Sequence, residues 1–299
     1  MAKAVKAVLF VNPYKKNASL IADAIHSELE SRAAKVSVFN SNSGSVPDDH
    51  WDIAFSLGGD GTVLNAARML AASKTPIIPI RLGTLAFLAG VENDDWLMVY
   101  EQWLNNTARI SRRCMLEFSV KRNGLAVFHN FCLNDIVISS LGIAKLIRLK
   151  VETELEGKEI AGLGYYRSDG LIVATATGST AYSLAAGGPI LDPEMEAQII
   201  NPICSFSLSS RPMVLPSRQI LHIGIENEQR SGVLLTVDGQ ETFELHPNDI
   251  ITVHQSPHYA LLLTTGRSAY YAALKEKLAW GYGCGILDNG ISSHGGGNA

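Results

Sequence analysis

LGGDGTVLNAAR, residues 57–68, joins an apolar segment to a helix-patterned one through three glycines and a single carboxylate. Upstream, DIAFSL at 52–57 has the composition of a buried strand. Downstream, TVLNAARMLAA at 62–72 carries Val63, Ala67 and Leu70 at helical spacing. Gly58, Gly59 and Gly61 lack a Cβ, so they can take positive φ and let a ligand approach the backbone, while free N–H groups at a helix start favour anions. With Thr62 they form a phosphate turn. Asp60 is the odd member, because a carboxylate repels phosphate; its placement points to work on a hydroxyl, a bound cation, or both. The competing reading is structural, a tight turn with Asp60 as an N-cap.

On either side of this stretch, short apolar strands alternate with helices. AVLFV at 7–11 is followed by a helix near 19–34, VSVF at 36–39, the strand at 52–57, PIIPI at 76–80 and a helix near 94–104. This pattern predicts an open, mostly parallel α/β sheet over residues 1–106, with ligands outside the carboxyl ends of its strands. From 107 to 266 strands and turns dominate, with turn signals at Arg122-Asn123-Gly124, Glu156-Gly157-Lys158 and Asp238-Gly239-Gln240. The predicted fold class is therefore α/β with a predominantly β second domain. Residues 268–280 return to helical periodicity, and 282–299 read as a glycine-rich flexible tail.

Composition narrows the function classes. With 299 residues and 46% hydrophobic content, two domains with large cores are within reach. A net charge of −4 without a long basic cluster argues against nucleic acid as a partner. Cys114, Cys132, Cys204 and Cys284 lie far apart without metal-type spacing and read as buried thiols of a reducing compartment. No signal peptide is evident, and the longest uncharged run, 170–191, is broken by glycines and a proline, so the expectation is a cytoplasmic protein without a membrane partner.

SDGLIVATATGSTAYSLAAGGP at 168–189 is the second dense cluster: a strand at 171–174, a hydroxyl-bearing turn at 177–180 and a short helix at 181–186. Thr180, Tyr182 and Ser183 offer polar atoms and an aromatic face, and Ala181, Ala185 and Ala186 leave room for a flat ligand. A close-packed helix ended by Gly187 and Gly188 is the structural alternative.

Taken together, the two clusters resemble the bacterial-type NAD kinase family. The likeness extends over most of residues 5–281 and includes Leu133-Asn134-Asp135, Pro202 to Cys204, Arg211-Pro212, Asp238-Gly239-Gln240 and LKEKLAWG at 274–281. The GGDGT motif alone is shared with lipid kinases; the second cluster is what separates the families. The resemblance implies transfer of the γ-phosphate of ATP to the 2′-hydroxyl of the adenosine ribose of NAD, with Mg²⁺ or another divalent cation held mainly through the ATP phosphates rather than by protein ligands. It makes Asp60 the catalytic proton acceptor. NAD contacts would come from Asp60, Gly61, Asn65, Asn134, Asp135, Lys145, Arg167, Asp169, Thr180, Ala181, Tyr182, Ser183, Leu184, Ala185 and Gln240. It further implies that the helix at 267–281 returns to the first domain, that Asp60, Asn134 and Asp169 converge on one crevice, and that a homodimer or homotetramer shares the NAD site. The chain departs from the family pattern at Arg81 and Ala86, which bear on adenine-side contacts near Phe87, and at Ala176, where proline is usual.

The chemistry is also arguable from the residues. A free Asp, with a reference pKa of ~3.9, cannot make a sugar alkoxide in advance, so Asp60 must act within the transfer itself. A loose phosphoryl transition state permits this, and positioning with charge neutralisation supplies most of the acceleration. No GxxxxGK[ST] loop exists, so the donor, ATP or inorganic polyphosphate, is assigned to the glycine turn and the metal. The family resemblance, which carries Asp169 to the dinucleotide site, further implies that a carboxylate near the nicotinamide would favour cationic NAD over NADH, with Arg167 offsetting part of its field. His254 and His258 read as surface histidines, Arg112-Arg113 and Lys121-Arg122 receive no role, and Tyr270-Tyr271 and Trp280 read as core. A lipid kinase of the diacylglycerol or sphingoid type and a non-catalytic NAD-binding regulator are the alternatives.

Overall fold

Ile53–Gly58 is buried at every position, which identifies it as an interior strand covered on both faces. A computed structural model describes residues 4–40, 50–83, 86–88, 90–143, 145–155, 159–207 and 209–279. In chain order the first half reads β1 (Lys6–Val11), α1 (Ala18–Ser31), β2 (Lys35–Asn40), β3 (Ile53–Gly58), α2 (Asp60–Met69), β4 (Ile77–Arg81) and α3 (Trp96–Leu104). Strands pair in the order β2-β1-β3-β4, all parallel. One core covers one face, with Ile25 and Leu29 of α1 and Tyr100 of α3 against Leu9 and Phe55; another packs Val63, Ala67 and Leu70 against Val8 and Phe10. The spatial order reverses between β1 and β3, and in sheets of this kind ligands bind beyond the carboxyl ends of strands at such a point.

The second half contributes β5 (Arg109–Arg122), β6 (Leu125–Cys132), β7 (Asp135–Ser140), β8 (Ile147–Glu154), β9 (Ile160–Ser168), β10 (Gly170–Thr175), α4 (Tyr182–Ala185), β11 (Ala197–Ile203), β12 (Met213–Pro216), β13 (Ile220–Ile225), β14 (Val233–Val237), β15 (Glu241–Leu245), β16 (Ile250–Thr264) and α5 (Arg267–Leu278). Here burial alternates. In IRLKVETE of β8, Ile147, Leu149, Val151 and Thr153 face inward, while the four charged residues between them are half-buried. Six strands form an antiparallel sheet in the order β12-β11-β10-β7-β14-β15. The other strands continue the first sheet, since β16 pairs in parallel with β4 at Leu262 and Ile77, and β13, β8, β9, β5 and β6 follow antiparallel. A core with Leu116, Phe118, Ile136, Val173 and Leu235 fills the space between the sheets.

Turn chemistry explains two hairpins. Asn123-Gly124 and Asp238-Gly239 carry φ of 50° and 80°, and 48° and 66°, the left-handed pairs that tight two-residue turns require. The turn predicted at 156–158, Trp280, the 282–299 tail and Cys284 lie outside the described residues. No helix among the described residues is long and apolar enough to cross a membrane. Residues 170–191 are a strand, a turn and a short helix.

Three sequence expectations need correction. Gly58, Gly59 and Gly61 do not adopt positive φ. What fixes Gly58 is proximity, since a Cβ there would meet Thr62 Oγ1 at 2.1 Å and Asn12 Cβ at 3.3 Å. Cys114 and Cys132 are buried but Cys204 is exposed. Tyr271 is 48% exposed, its hydroxyl 3.2 Å from Asp192, because α5 packs through Ala273 and Leu274 instead.

Candidate active site

β3 ends at Gly58, Gly59 occupies the N-cap position with extended backbone, and Asp60 is the first residue of α2. Asp60 is therefore not the N-cap residue of its helix. Its carboxylate reaches across to the loop after β4, where it accepts the N–H of Phe87 at Oδ2 (3.0 Å) and of Leu88 at Oδ1 (2.7 Å). The ammonium of Lys277, near the end of α5, lies 3.9 Å from Oδ2 and 4.3 Å above the Phe87 ring. The side chains of Asp60 and Lys277 are each about 30% exposed. The cap reading therefore fails, and a partly accessible carboxylate is held at the carboxyl end of a central strand. Two buried polar atoms of the same turn, Thr62 Oγ1 and Asn65 Oδ1, have no hydrogen-bond partner among the described residues. Buried polar atoms without a partner are the exception in folded proteins and call for an explanation.

Behind the turn lies an ion network. Asp238 is buried; Oδ1 accepts the N–H groups of Asn134 (2.8 Å) and Asp135 (3.1 Å), and Oδ2 that of Leu133 (3.1 Å) and Nη1 of Arg68 (3.1 Å). Burial raises the Asp238 carboxyl, and Arg68 with the three amides pulls it back. Arg68 Nη2 also donates to Gln240 Oε1 at 2.8 Å, and Gln240 Nε2 donates to the carbonyl of Gly61 at 2.7 Å. A continuous path of hydrogen bonds thus links the glycine turn, through α2, to the Asp238 hairpin and the Asn134-Asp135 strand start.

A cavity of about 370 Å³ opens beside this network, lined by Asn134, Asp135, Ala181, Tyr182, Asp238 and Gly239 among others. Asp135 is buried, and desolvation with the neighbouring Asp238 raises its carboxyl to about 7. Near neutral pH it therefore populates a form that donates as well as accepts. The turn at 177–180 presses on Asn134, since a Cβ on Gly178 would lie 2.1 Å from the Asn134 carbonyl. Thr175 fixes the same place, its N–H on Asn134 O (2.8 Å) and its hydroxyl on Leu133 O (2.6 Å). Ala176 has φ −60°, the value that proline imposes, so its departure from the family pattern leaves the backbone path unchanged.

Hydrogen bonds through Gln240, Arg68 and Asp238 link Gly61 to Asn134 and Asp135, and the cavity beside them adds Ala181 and Tyr182. Thr180 is half-buried, its hydroxyl 3.3 Å from Thr177 O, Leu184 is half-buried and Ala185 exposed. Ser183 is fully buried, and Asn201 Nδ2 donates to its carbonyl (2.9 Å) and hydroxyl (3.2 Å), so its side chain faces the β core. Lys145, Arg167 and Asp169 are elsewhere. Antiparallel pairing sets Ala174 against Asp135 but Gly170 against Ser139, and Ser140 N–H bonds Asp169 O. Five residue steps, roughly 17 Å, separate Asp169 from Asp135. Asp60, Asn134 and Asp169 do not converge within one chain, which corrects that expectation. Arg167 is exposed with its guanidinium 5.2 Å from the Phe206 ring, and Lys145 is exposed. Arg81 pairs with Glu92, and Ala86 is buried in a small cavity of about 50 Å³ between the Phe87 loop and α5.

Phe87, Leu88, Arg68, Asp238 and Lys277 acquire parts that sequence reasoning left unassigned. Arg68, Asp238 and Lys277 fall inside motifs already noted. The Phe87 and Leu88 contribution is made by backbone, which no residue type announces. His254 and His258 flank a β16 irregularity between Gln255 and Tyr259, and no metal-binding cluster of three His, Cys, Asp or Glu occurs among the described residues.

Residues 26–108 match the family model for the ATP-NAD kinase N-terminal domain and residues 113–265 that for the C-terminal domain. The NAD kinase of Treponema denticola is 38% identical over 92% of this chain and 96% of its own; that of Geobacter sulfurreducens is 38% identical over 80% and 83%. Yeast NADH kinase complexed with NADH shares the fold, with a TM-score of 0.82 at 23% identity over 95% of this chain and 89% of its own. So does an NAD kinase from Archaeoglobus fulgidus in complex with ATP, with a TM-score of 0.70 at 23% identity over 90% and 98%. With both domain models matched in order and close relatives aligned almost end to end, the lipid-kinase and non-catalytic readings lose their support, and the chain belongs to the NAD kinase family.

Proposed function

We propose that Asp60 accepts the proton of the adenosine ribose 2′-hydroxyl of NAD while that oxygen attacks the γ-phosphorus of ATP. The new bond joins the 2′-oxygen to phosphorus, the bond from phosphorus to the bridging oxygen of ADP breaks, and ADP leaves. The observation that carries this is the Asp60 carboxylate, fixed by two backbone N–H groups at the end of β3 yet partly accessible. Hydrogen bonds from Phe87 and Leu88 orient it without consuming all four lone-pair sites. NAD is assigned to the cavity of Asn134, Asp135, Ala181 and Tyr182, with Gly61 and Asn65 on the side of the glycine turn, Thr180, Ser183, Leu184 and Ala185 as its frame and Gln240 as a strut.

Mg²⁺ or another divalent cation is assigned to the donor phosphates, where it would neutralise charge. A homo-oligomer, dimer or tetramer, would bring Lys145, Arg167 and Asp169 of one copy to the NAD site of another. Exposed Ile143, Tyr165 and Phe206 near that end support such an interface. The chain divides near residue 106, with α5 packing on the first domain. Unpaired Cys114, Cys132 and Cys204 fit a cytoplasmic location. The test is NADP formation from NAD with ATP or polyphosphate and Mg²⁺, with diacylglycerol as the rival acceptor. A purified protein that makes no NADP with either donor overturns the proposal.

A further inference from the structure

We infer that Lys277 is a catalytic cation that binds the transferring phosphoryl group, an inference that rests on the kinase chemistry proposed above. This chain has no P-loop lysine, and the glycine turn itself carries a carboxylate where phosphate must arrive. A positive charge is required there. Within reach of Asp60, Lys277 supplies one from a helix more than two hundred residues away in the chain.

Three features of its placement fit the role. Its Nζ is 3.9 Å from Asp60 Oδ2, the outer limit of an ion pair and too long for a hydrogen bond, so the ammonium is near the carboxylate without being spent on it. It lies 4.3 Å from the Phe87 ring centroid, where the aromatic face holds a cation without removing any N–H donor. The backbone N–H of the same Phe87 holds Asp60 Oδ2. One loop residue thus sets the proton acceptor and the cation relative to each other. With the 2′-hydroxyl bonded to Asp60 and the γ-phosphorus about 3–3.5 Å from the attacking oxygen, the ammonium donors reach the non-bridging oxygens of that phosphoryl group. Lys277 takes no proton from the reaction; it offsets the negative charge gathered on those oxygens as the bond to ADP breaks.

The experiment compares wild type with Lys277→Met, Lys277→Arg and Lys277→Ala, measuring kcat with saturating ATP and Mg²⁺, NAD affinity without ATP by equilibrium dialysis, and thermal melting. Lys277→Met should lose about 10²–10³-fold in kcat, the usual effect of removing one charge-stabilising donor. NAD affinity should stay within about threefold, Lys277→Arg should recover most of the rate, and added ethylammonium should raise the rate of Lys277→Ala. A Lys277→Met enzyme within threefold of wild-type kcat overturns the inference. So does a rate loss matched by an equal loss of NAD affinity with no response to ethylammonium, which marks a merely structural contact. A wild type that forms no NADP overturns both this and the function beneath it, whereas an active wild type with an indifferent Lys277→Met overturns this alone.

Discussion

Two Asp-Gly dipeptides touch through a single side chain and serve opposite ends. Asp60-Gly61 opens a helix, and its carboxylate is partly exposed with two amide donors and a distant ammonium. Asp238-Gly239 closes a hairpin in left-handed backbone, and its carboxylate is buried with three amides and an arginine. Gln240 bridges them by bonding Gly61 O and Arg68. Saturation with donors makes a carboxylate a rivet, whereas partial access suits one to the reagent's role proposed for Asp60. The same dipeptide becomes one or the other according to what the fold packs around it.

The sharpest way to break this comparison is to remove the reagent. Asp60→Asn keeps a side chain of the same shape but no proton acceptor, and kcat for NADP formation should fall about 10²–10⁴-fold. Near-normal turnover would show Asp60 to be a second rivet. Removal of the rivet should act on stability first. Arg68→Met strands the Asp238 charge in a buried site, and a loss of about 3–5 kcal/mol is expected in denaturant unfolding. If stability is unchanged while activity collapses, Arg68 belongs to the reaction instead.

Asp135 sharpens the comparison through pH. Its carboxyl is raised from an ordinary 3.8 to about 7, so the folded state holds a proton that the unfolded state releases. Relative to an untitrating residue, its contribution is most favourable below about pH 4 and is lost as pH rises to about 7. The melting temperature of Asp135→Asn minus that of wild type should therefore grow between pH 4 and 7 and level off above it. A flat difference would place the proton elsewhere. The smallest effect is expected at Asp169, on the open end of β10. There Asp169→Asn should lower the preference for NAD over NADH, read as the ratio of kcat/KM values at low salt, by only a few-fold, since a half-buried charge is still screened by solvent. An unchanged ratio would assign any preference to shape.

Much of the fold was legible because burial leaves a mark on composition. β3 and β10 are mostly apolar and prove covered on both faces; β8 alternates and proves covered on one. The turn at Asp60, the Asn134-Asp135 pair and the cluster at 168–189 were all marked as site material; the Asn134-Asp135 pair shares a cavity with Ala181 and Tyr182, and Gln240 ties Gly61 to its rim. Asp169 was misplaced for the same physical reason that made its strand recognisable. Alternation and apolar runs specify which residues form strands but not which end of a strand faces the glycine turn.

The sequence by itself determined the parallel α/β half, the hairpin turns, the glycine turn with its lone carboxylate and, through two motif clusters, membership of the NAD kinase family. These are properties of neighbouring residues, fixed by local sterics, hydrophobic periodicity and residue type. Only the tertiary structure decided that Asp60 reaches to the Phe87 and Leu88 amides, that Asp238 is sealed by Arg68, that Ser183 faces the β core, and that Lys277 comes within 3.9 Å of Asp60. Each of these joins residues remote in the chain, and two of them use backbone groups that every residue carries. Their chemistry is therefore written in the packing of strands and helices rather than in any one stretch of sequence.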